Sequence, residues 1–312
     1  MIEEVVKILH EKDKIAILCH CFPDGDTIGS AYALYDALKS INKTVKIECA
    51  DNFGSQFTYI TDGIEFEDFT PEYVIAVDVP TSALLGKIKD KYPEIDLSID
   101  HHKTHIPFAK ITYVQSEAAA TCEIIYDICV ALCGDINKTQ ATALYTGIAT
   151  DTGCFKFSNT TAHTHLIAAK LIAKNVDCEK IHQFVFSKSK ACAILEAVVL
   201  LKTNFYFDDK IAIQSIDRQT QTNLGVSDED IGNIAGVLQN IDCVMIGITV
   251  REIDSNTFKI SVRTKNPISA SQFCQKFGGG GHENAAGATI NGSISNIYNR
   301  LITEAKKSIF TI

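Results

Sequence analysis

The sequence predicts an α/β protein: an N-terminal doubly wound, mostly parallel sheet, followed by a smaller mixed α/β domain. Two observations lead there. Short, continuous apolar runs alternate with helical patterns over the first half of the chain, and the texture changes to paired strands after "LIAKNVD" (171–177). A length of 312 residues accommodates two domains.

In chain order, the apolar runs are "IAILC" (15–19), "VKIEC" (45–49), "YVIAV" (73–77) and "LSI" (97–99), each flanked by polar or turn residues. Helical patterns cover 28–40, about 81–90, 118–133, 138–149 and 162–174. Strands that are apolar throughout and separated by helices belong to a parallel sheet covered on both faces. Beyond them, a helical stretch at 188–203 leads into "NFYFDDKIAIQSID" (204–217), two strands around an Asp-Asp turn. "CVMIGITVRE" (243–252) and "TFKISVRT" (257–264) read as adjacent strands joined through "IDSN" (253–256). The expected division is a domain over 1–180, a hinge over 181–190 and a second domain over 191–312, lying across a cleft from the first.

Composition narrows the function classes. Net charge is −9, unsuited to a protein that coats long duplex nucleic acid. The charge is uneven: residues 1–187 hold 16 basic against 26 acidic side chains, and residues 188–312 hold 13 against 12. An acidic half beside a near-neutral half suits a metal-bearing domain paired with an anion-gripping one. Eleven scattered cysteines, with no C-x-x-C, fit neither a zinc ribbon nor a disulfide framework. No apolar run reaches the roughly 18 residues of a membrane span; "ACAILEAVVLL" is broken by Glu196. The N-terminus does not resemble a secretory signal, so the expected location is cytoplasmic, with no membrane partner.

The acidic residues sit where such a sheet builds its crevice, beyond the carboxyl ends of the strands. After the first strand come His20, Asp24 and Asp26; after the third, Asp78; after the fourth, Asp100, His101 and His102; and the helix at 138–149 runs into Asp151. Singly, each has an ordinary reading, since "PDGD" is a common turn and an aspartate caps helices. Together, Asp24, Asp26, Asp78 and Asp151 with His20 and His101 make a set that repels itself unless cations compensate. Four carboxylates, two imidazoles and no thiolate favour two hard or borderline ions, Mn²⁺ or Mg²⁺ or a similar divalent ion, over zinc. Such a pair can drive an in-line phosphoryl displacement. Gly29 and Ser30 are expected to open a helix whose free amides favour an anion. His105, His163 and His165 carry no further signal.

The second domain has its own anion chemistry. Alternation in "TFKISVRT" puts Phe258, Ile260 and Val262 on one face and Lys259, Ser261 and Arg263 on the other, offering a guanidinium to a phosphate. In the run Gly278, Gly279, Gly280, Gly281 and His282, backbone amides can form an anion nest beside an imidazole.

With these residues in place, the chain resembles the DHH phosphoesterase superfamily. "HCFPDGDTIGS" (20–30), "VIAVDVP" (74–80), "SIDHHKTH" (98–105) and "GIATDTGCF" (147–155) are similar to its motifs, and "FGGGGHENAAGA" (277–288) is similar to the glycine-rich motif of the DHHA1 domain. The resemblance implies a two-manganese phosphoesterase. It implies that His20, Asp24 and Asp78 hold one ion and that Asp26, Asp78, His101 and Asp151 hold the other, with Asp78 bridging. It further implies that Asp100 orients its neighbours, that His102 meets the scissile phosphate, and that Arg263 and His282 grip substrate from across the cleft.

Domain content is similar to the compact NrnA type, which implies hydrolysis of very short RNA oligonucleotides to mononucleotides and removal of the 3′-phosphate of 3′-phosphoadenosine 5′-phosphate (pAp). Short substrates need few phosphate contacts, in keeping with the negative charge. Two alternatives stay open: a phosphodiesterase for pApA or cyclic di-AMP, and a non-catalytic nucleotide-binding protein on the same scaffold. A homodimer is compatible with the fold, although no heptad or defined patch marks one.

Overall fold

A computed structural model describes residues 2–227, 230–281 and 283–310. The chain forms two units, Met1–Ser187 and Lys188–Ile312.

The first unit is built on β1 (Ile15–Leu18), β2 (Val45–Glu48), β3 (Tyr73–Val77), β4 (Leu97–Asp100) and β5 (Ile111–Val114). All pairs are parallel, in the order β2-β1-β3-β4-β5. The chain leaves β1 for one neighbour and later returns to its other side, so the order reverses between β1 and β3. In open α/β sheets this switch point opens the crevice that receives ligands. β1 and β3 are buried throughout, which accounts for their unbroken apolar sequences.

Around the sheet run α1 (Ile2–Glu11), α2 (Gly25–Ser40), the short α3 (Thr58–Thr61) and α4 (Ile88–Lys91), then α5 (Thr121–Cys133), α6 (Lys138–Asp151), α7 (Ala162–Ile172) and α8 (Cys178–Phe186). α2 packs closely on α5 and α6. Asp24 caps α2, accepting from the amides of Asp26 and Thr27, so this helix starts three residues before the expected 28. The pattern at 81–90 is not one helix. A 3₁₀ turn at Ser82–Leu85 ends at Gly86, whose φ of 58° is left-handed, and α4 follows. Most of the 181–190 segment is the end of α8, with Ser187 extended behind it.

The second unit begins with α9 (Lys190–Leu201). It continues through β6 (Asn204–Tyr206), β7 (Ile211–Ile216), α10 (Arg218–Leu224), a 3₁₀ stretch at Asp230–Asn240, β8 (Ile246–Asp254), β9 (Thr257–Thr264), α11 (Ala270–Gln275), β10 (Gly280–Gly281), β11 (Ala285–Asn291) and α12 (Ile294–Phe310). The sheet order is β10-β11-β9-β8-β7-β6, with β7 and β8 parallel and the other neighbours antiparallel. Phe258, Ile260 and Val262 are buried with Ile248, Phe273 and Leu301, as the alternation of β9 requires. Among the described residues, no helix is long and apolar enough to cross a membrane.

Candidate metal centre

Every sequence-derived ligand lies at the carboxyl end of the first sheet, on either side of the β1/β3 switch point. Strand β1 delivers His20. Its Nδ1 lies 2.8 Å from the Cys21 carbonyl, to which it donates, so Nε2 is the ring atom turned to the carboxylates. That Nε2 lies 3.6 Å from Asp24 and 3.7 Å from Asp78. His101 repeats the arrangement from the end of β4. Its Nδ1 lies 3.1 Å from the Ala118 carbonyl, and its Nε2 lies 3.8 Å from Asp26, 3.8 Å from Asp78 and 3.2 Å from Asp151.

The backbone around these groups is specialised. Asp78 follows β3 with a left-handed φ of 59° and accepts a hydrogen bond at 2.9 Å from the Thr121 hydroxyl. Non-glycine residues held there by the surrounding structure cluster at functional sites. Asp26, fully buried in the first turn of α2, accepts from the amides of Thr121 at 2.7 Å and Cys122 at 2.9 Å. It thereby satisfies the start of α5, whose own N-cap position, Ala120, offers no side-chain hydrogen bond. Helix α6 carries Asp151 as its last residue and approaches closely at Gly147. A β-carbon there would lie 2.3 Å from Cys122 Sγ and 2.9 Å from Asp26 Oδ1.

Without cations the cluster is electrostatically frustrated. Burial, then the charges of Asp78 and Asp151, push Asp26 well above the ordinary carboxylate range. Burial also pushes Asp151 up to about 6. Burial opposes charge on His20 and His101, but the surrounding aspartates outweigh it and raise them to about 11 and about 10. Protons on the two imidazoles thus do the work that cations would do.

The donor set fits metal ions. His101 Nε2 is buried with no hydrogen-bond partner while aimed at three carboxylates. Ligand bonds of roughly 2.1 Å place neighbouring donors ~3.0–3.4 Å apart, close to the separations of 3.2–3.8 Å seen here. Among the described residues, His20-Asp24-Asp78, Asp26-His101-Asp151 and Asp78-His101-His102 each gather donor atoms within 4.8 Å of one another. Asp78 lies in two of these groups.

Beside them, Asp100 Oδ1 lies 2.7 Å from His102 Nδ1, and Asp100 Oδ2 lies 2.6 Å from His105 Nδ1. Burial alone would raise Asp100, yet the hydrogen bonds and charge of His102, with the hydrogen bond of His105, hold it below the usual range. Burial alone would lower His102, yet Asp100 and Asp78 raise it above 6.5. The sequence marked neither His105 nor Thr121. A histidine five residues after Asp100 was a usable signal for the first, whereas nothing in "AAATCE" distinguishes the second.

Ser30 is a correction. Because α2 starts at Gly25, Ser30 lies in its second turn, fully buried, with its hydroxyl 3.3 Å from Cys122 Sγ. Gly29 serves helix packing, since a β-carbon there would lie 2.4 Å from the Ala143 carbonyl. Neither is at the helix mouth. In the second unit, Arg263 is partly buried, which lowers its pKa, and it donates to the Val262 carbonyl at 3.1 Å. Gly280 and Gly281 form a short strand on β11 rather than an open loop. Gly279 passes so close to β11 that a β-carbon would lie 2.0 Å from the Gly287 carbonyl. His282 lies outside the described residues.

Residues 14–148 match the DHH family, N-terminal domain, and residues 208–309 match the DHHA1 domain. The bifunctional oligoribonuclease and PAP phosphatase NrnA of Thermus thermophilus is 27% identical, the match covering 99% of this chain and 94% of that protein. Its namesake in Mycoplasma genitalium is 28% identical over 93% of this chain and 92% of that one. Among solved structures, an exopolyphosphatase-related protein from Bacteroides fragilis superposes with a TM-score of 0.91 at 25% identity, covering 98% of this chain and 95% of that one.

Proposed function

The chain belongs to the DHH family, a DHH domain joined to a DHHA1 domain, and on that premise we propose that it is a two-metal phosphoesterase that hydrolyses very short RNA oligonucleotides to mononucleotides and removes the 3′-phosphate of pAp. One observation carries the reading: Asp78 gathers with His20 and Asp24 in one donor group and lies 3.8 Å from His101, which gathers with Asp26 and Asp151 in another, while His102 lies 3.6 Å from the same carboxylate. In this reading His20, Asp24 and Asp78 hold one Mn²⁺, and Asp26, Asp78, His101 and Asp151 hold the other. When bound, the ions activate water and neutralise phosphate oxygens.

The chain's own residues complete the chemistry. His102, kept protonated by Asp100, donates its proton to the leaving oxygen. Asp26 and Asp78, fixed by the backbone and hydroxyl of the α5 start, keep the donor geometry rigid. Arg263 supplies a guanidinium, and His282 an imidazole, to a substrate phosphate. Residues 1–180 thus do the chemistry, residues 191–312 hold substrate, and 181–190 link them.

The substrate assignment draws support from the relatives named as oligoribonuclease and PAP phosphatase, and from a net charge of −9 that suits short substrates. The test is product analysis on chelator-treated protein, with and without Mn²⁺, on labelled RNA of two to about 24 nucleotides, pApA and pAp. Manganese-dependent release of mononucleotides, fastest on the shortest RNA, and of phosphate from pAp is expected. Turnover of pApA alone would move the assignment to a dinucleotide phosphodiesterase, and metal binding without turnover would move it to another phosphoester or to binding alone.

A further inference from the structure

The loop between β1 and α2 holds an aromatic residue that the metal centre does not use. Phe22 stands two residues after His20 and two before Asp24, and it is 83% exposed. Its backbone adopts a φ of 56°, which residues with a β-carbon other than Asn or Asp rarely take. The strain is maintained by the surroundings. The Cys21 amide donates to the Leu84 carbonyl at 2.6 Å, the Phe22 amide donates to Asp51 Oδ2 at 2.9 Å, and Pro23 fixes the next φ.

A large apolar ring is therefore presented to water on a pinned, strained loop that joins two members of the donor cluster, His20 and Asp24. Burial does not explain the ring, because the first unit's core does not include it. Local conformation does not explain it either, because asparagine would suit this backbone better. What remains is a ligand. Two residues of chain span at most about 7 Å, roughly the distance from the phosphate of a nucleotide to its base. A phosphate seated against His20 and Asp24 would carry its base into reach of the ring, and every base offers a face for stacking whatever its hydrogen-bonding pattern.

We propose that Phe22 is a stacking platform for a nucleobase, a subsite that selects nucleotide phosphates over simple phosphoesters without selecting the base. The proposal rests on the nucleotide-phosphoesterase reading above. It assigns to the metal-bearing unit a share of substrate recognition that its charged residues cannot provide.

The test compares equilibrium binding of adenosine 5′-monophosphate and ribose 5-phosphate to the full-length, Mn²⁺-loaded protein by calorimetry. The wild type should bind the nucleotide more tightly, by about tenfold, the scale of one base–aromatic stack. Phe22→Asn removes the ring while suiting the left-handed backbone, so it should bring the nucleotide down to the affinity of the sugar phosphate and leave the latter unchanged. Phe22→Tyr should keep the difference. Equal affinity of the wild type for both probes would overturn the platform, as would a Phe22→Asn variant that weakens both alike. Because binding is read without turnover, failure of the phosphoesterase reading would show separately, as no hydrolysis despite an intact affinity difference.

Discussion

His105 donates through Nδ1 to Asp100 at 2.6 Å, and its ring, almost wholly buried, lies tilted against Phe108 with centroids 5.6 Å apart. The direction follows from Asp100, which stays ionised because its pKa is held down and so can only accept. Asp100 in turn meets His102. His105 is thus an outer support of His102, acting through Asp100.

Removing that support should affect chemistry rather than binding. His105→Leu should lower kcat by about 10- to 100-fold, the range for outer partners of catalytic and metal-binding groups, with little change in KM. His105→Asn, which can present a donor near the Nδ1 position, should recover most of the loss. Manganese content measured by mass spectrometry should match the wild type in both. Equal losses in the two variants would reduce His105 to a packing residue.

Asp78 should show function and stability pulling apart. Asp78→Asn should cut turnover by more than about 100-fold, exceeding the effect of an outer partner. In chelator-treated protein the same change relieves repulsion on Asp26 and Asp151, so its melting temperature should rise above that of chelator-treated wild type. A differential scanning calorimeter reads both proteins. A lower melting temperature for the variant would mean that the Thr121–Asp78 hydrogen bond and the attraction of Asp78 to protonated His20 and His101 outweigh the repulsion.

The ion-free protein should lose stability as pH rises. Burial raises Asp151 from 3.8 to about 6, so the folded state binds the proton more tightly and stability falls between those values. His20 and His101, which burial opposes but the aspartates raise to about 11 and about 10, contribute stability that is complete below 6.5 and lost as pH climbs through those folded values. Metal binding displaces these protons, so the gain in melting temperature on adding Mn²⁺ should grow with pH. A gain independent of pH would contradict binding at these residues.

Arg263→Ala should raise KM more than it lowers kcat, the signature of lost uniform binding. Steady-state kinetics on a short RNA would read the split. A fall in kcat at constant KM would instead assign Arg263 to the transition state.

The donor cluster was legible because several of its residues follow apolar strands, and the order of strand ends in a parallel sheet is written in the sequence. His20, Asp78 and His101 could be placed from the runs before them. The edge strand β5 escaped because "ITYV" is half exposed and lacks the unbroken apolar flanks of a central strand. The pattern at 81–90 misled because Gly86 breaks a stretch whose composition otherwise suits a helix. Ser30 misled because Asp24, a member of the donor cluster, is also the cap of α2, which starts the helix earlier than its apolar periodicity shows. Thr121 acts through a hydrogen bond to Asp78, 43 residues away, which no local spacing encodes, whereas His105 lies five residues after its partner Asp100.

The most direct test of the central claim is hydrolysis of a 5′-labelled RNA dinucleotide by chelator-treated protein, followed against added equivalents of Mn²⁺. Two donor groups meeting at Asp78 should give mononucleotide release that climbs to a plateau at two ions per chain. A plateau at one ion, or no release at any ratio, would contradict a two-metal phosphoesterase.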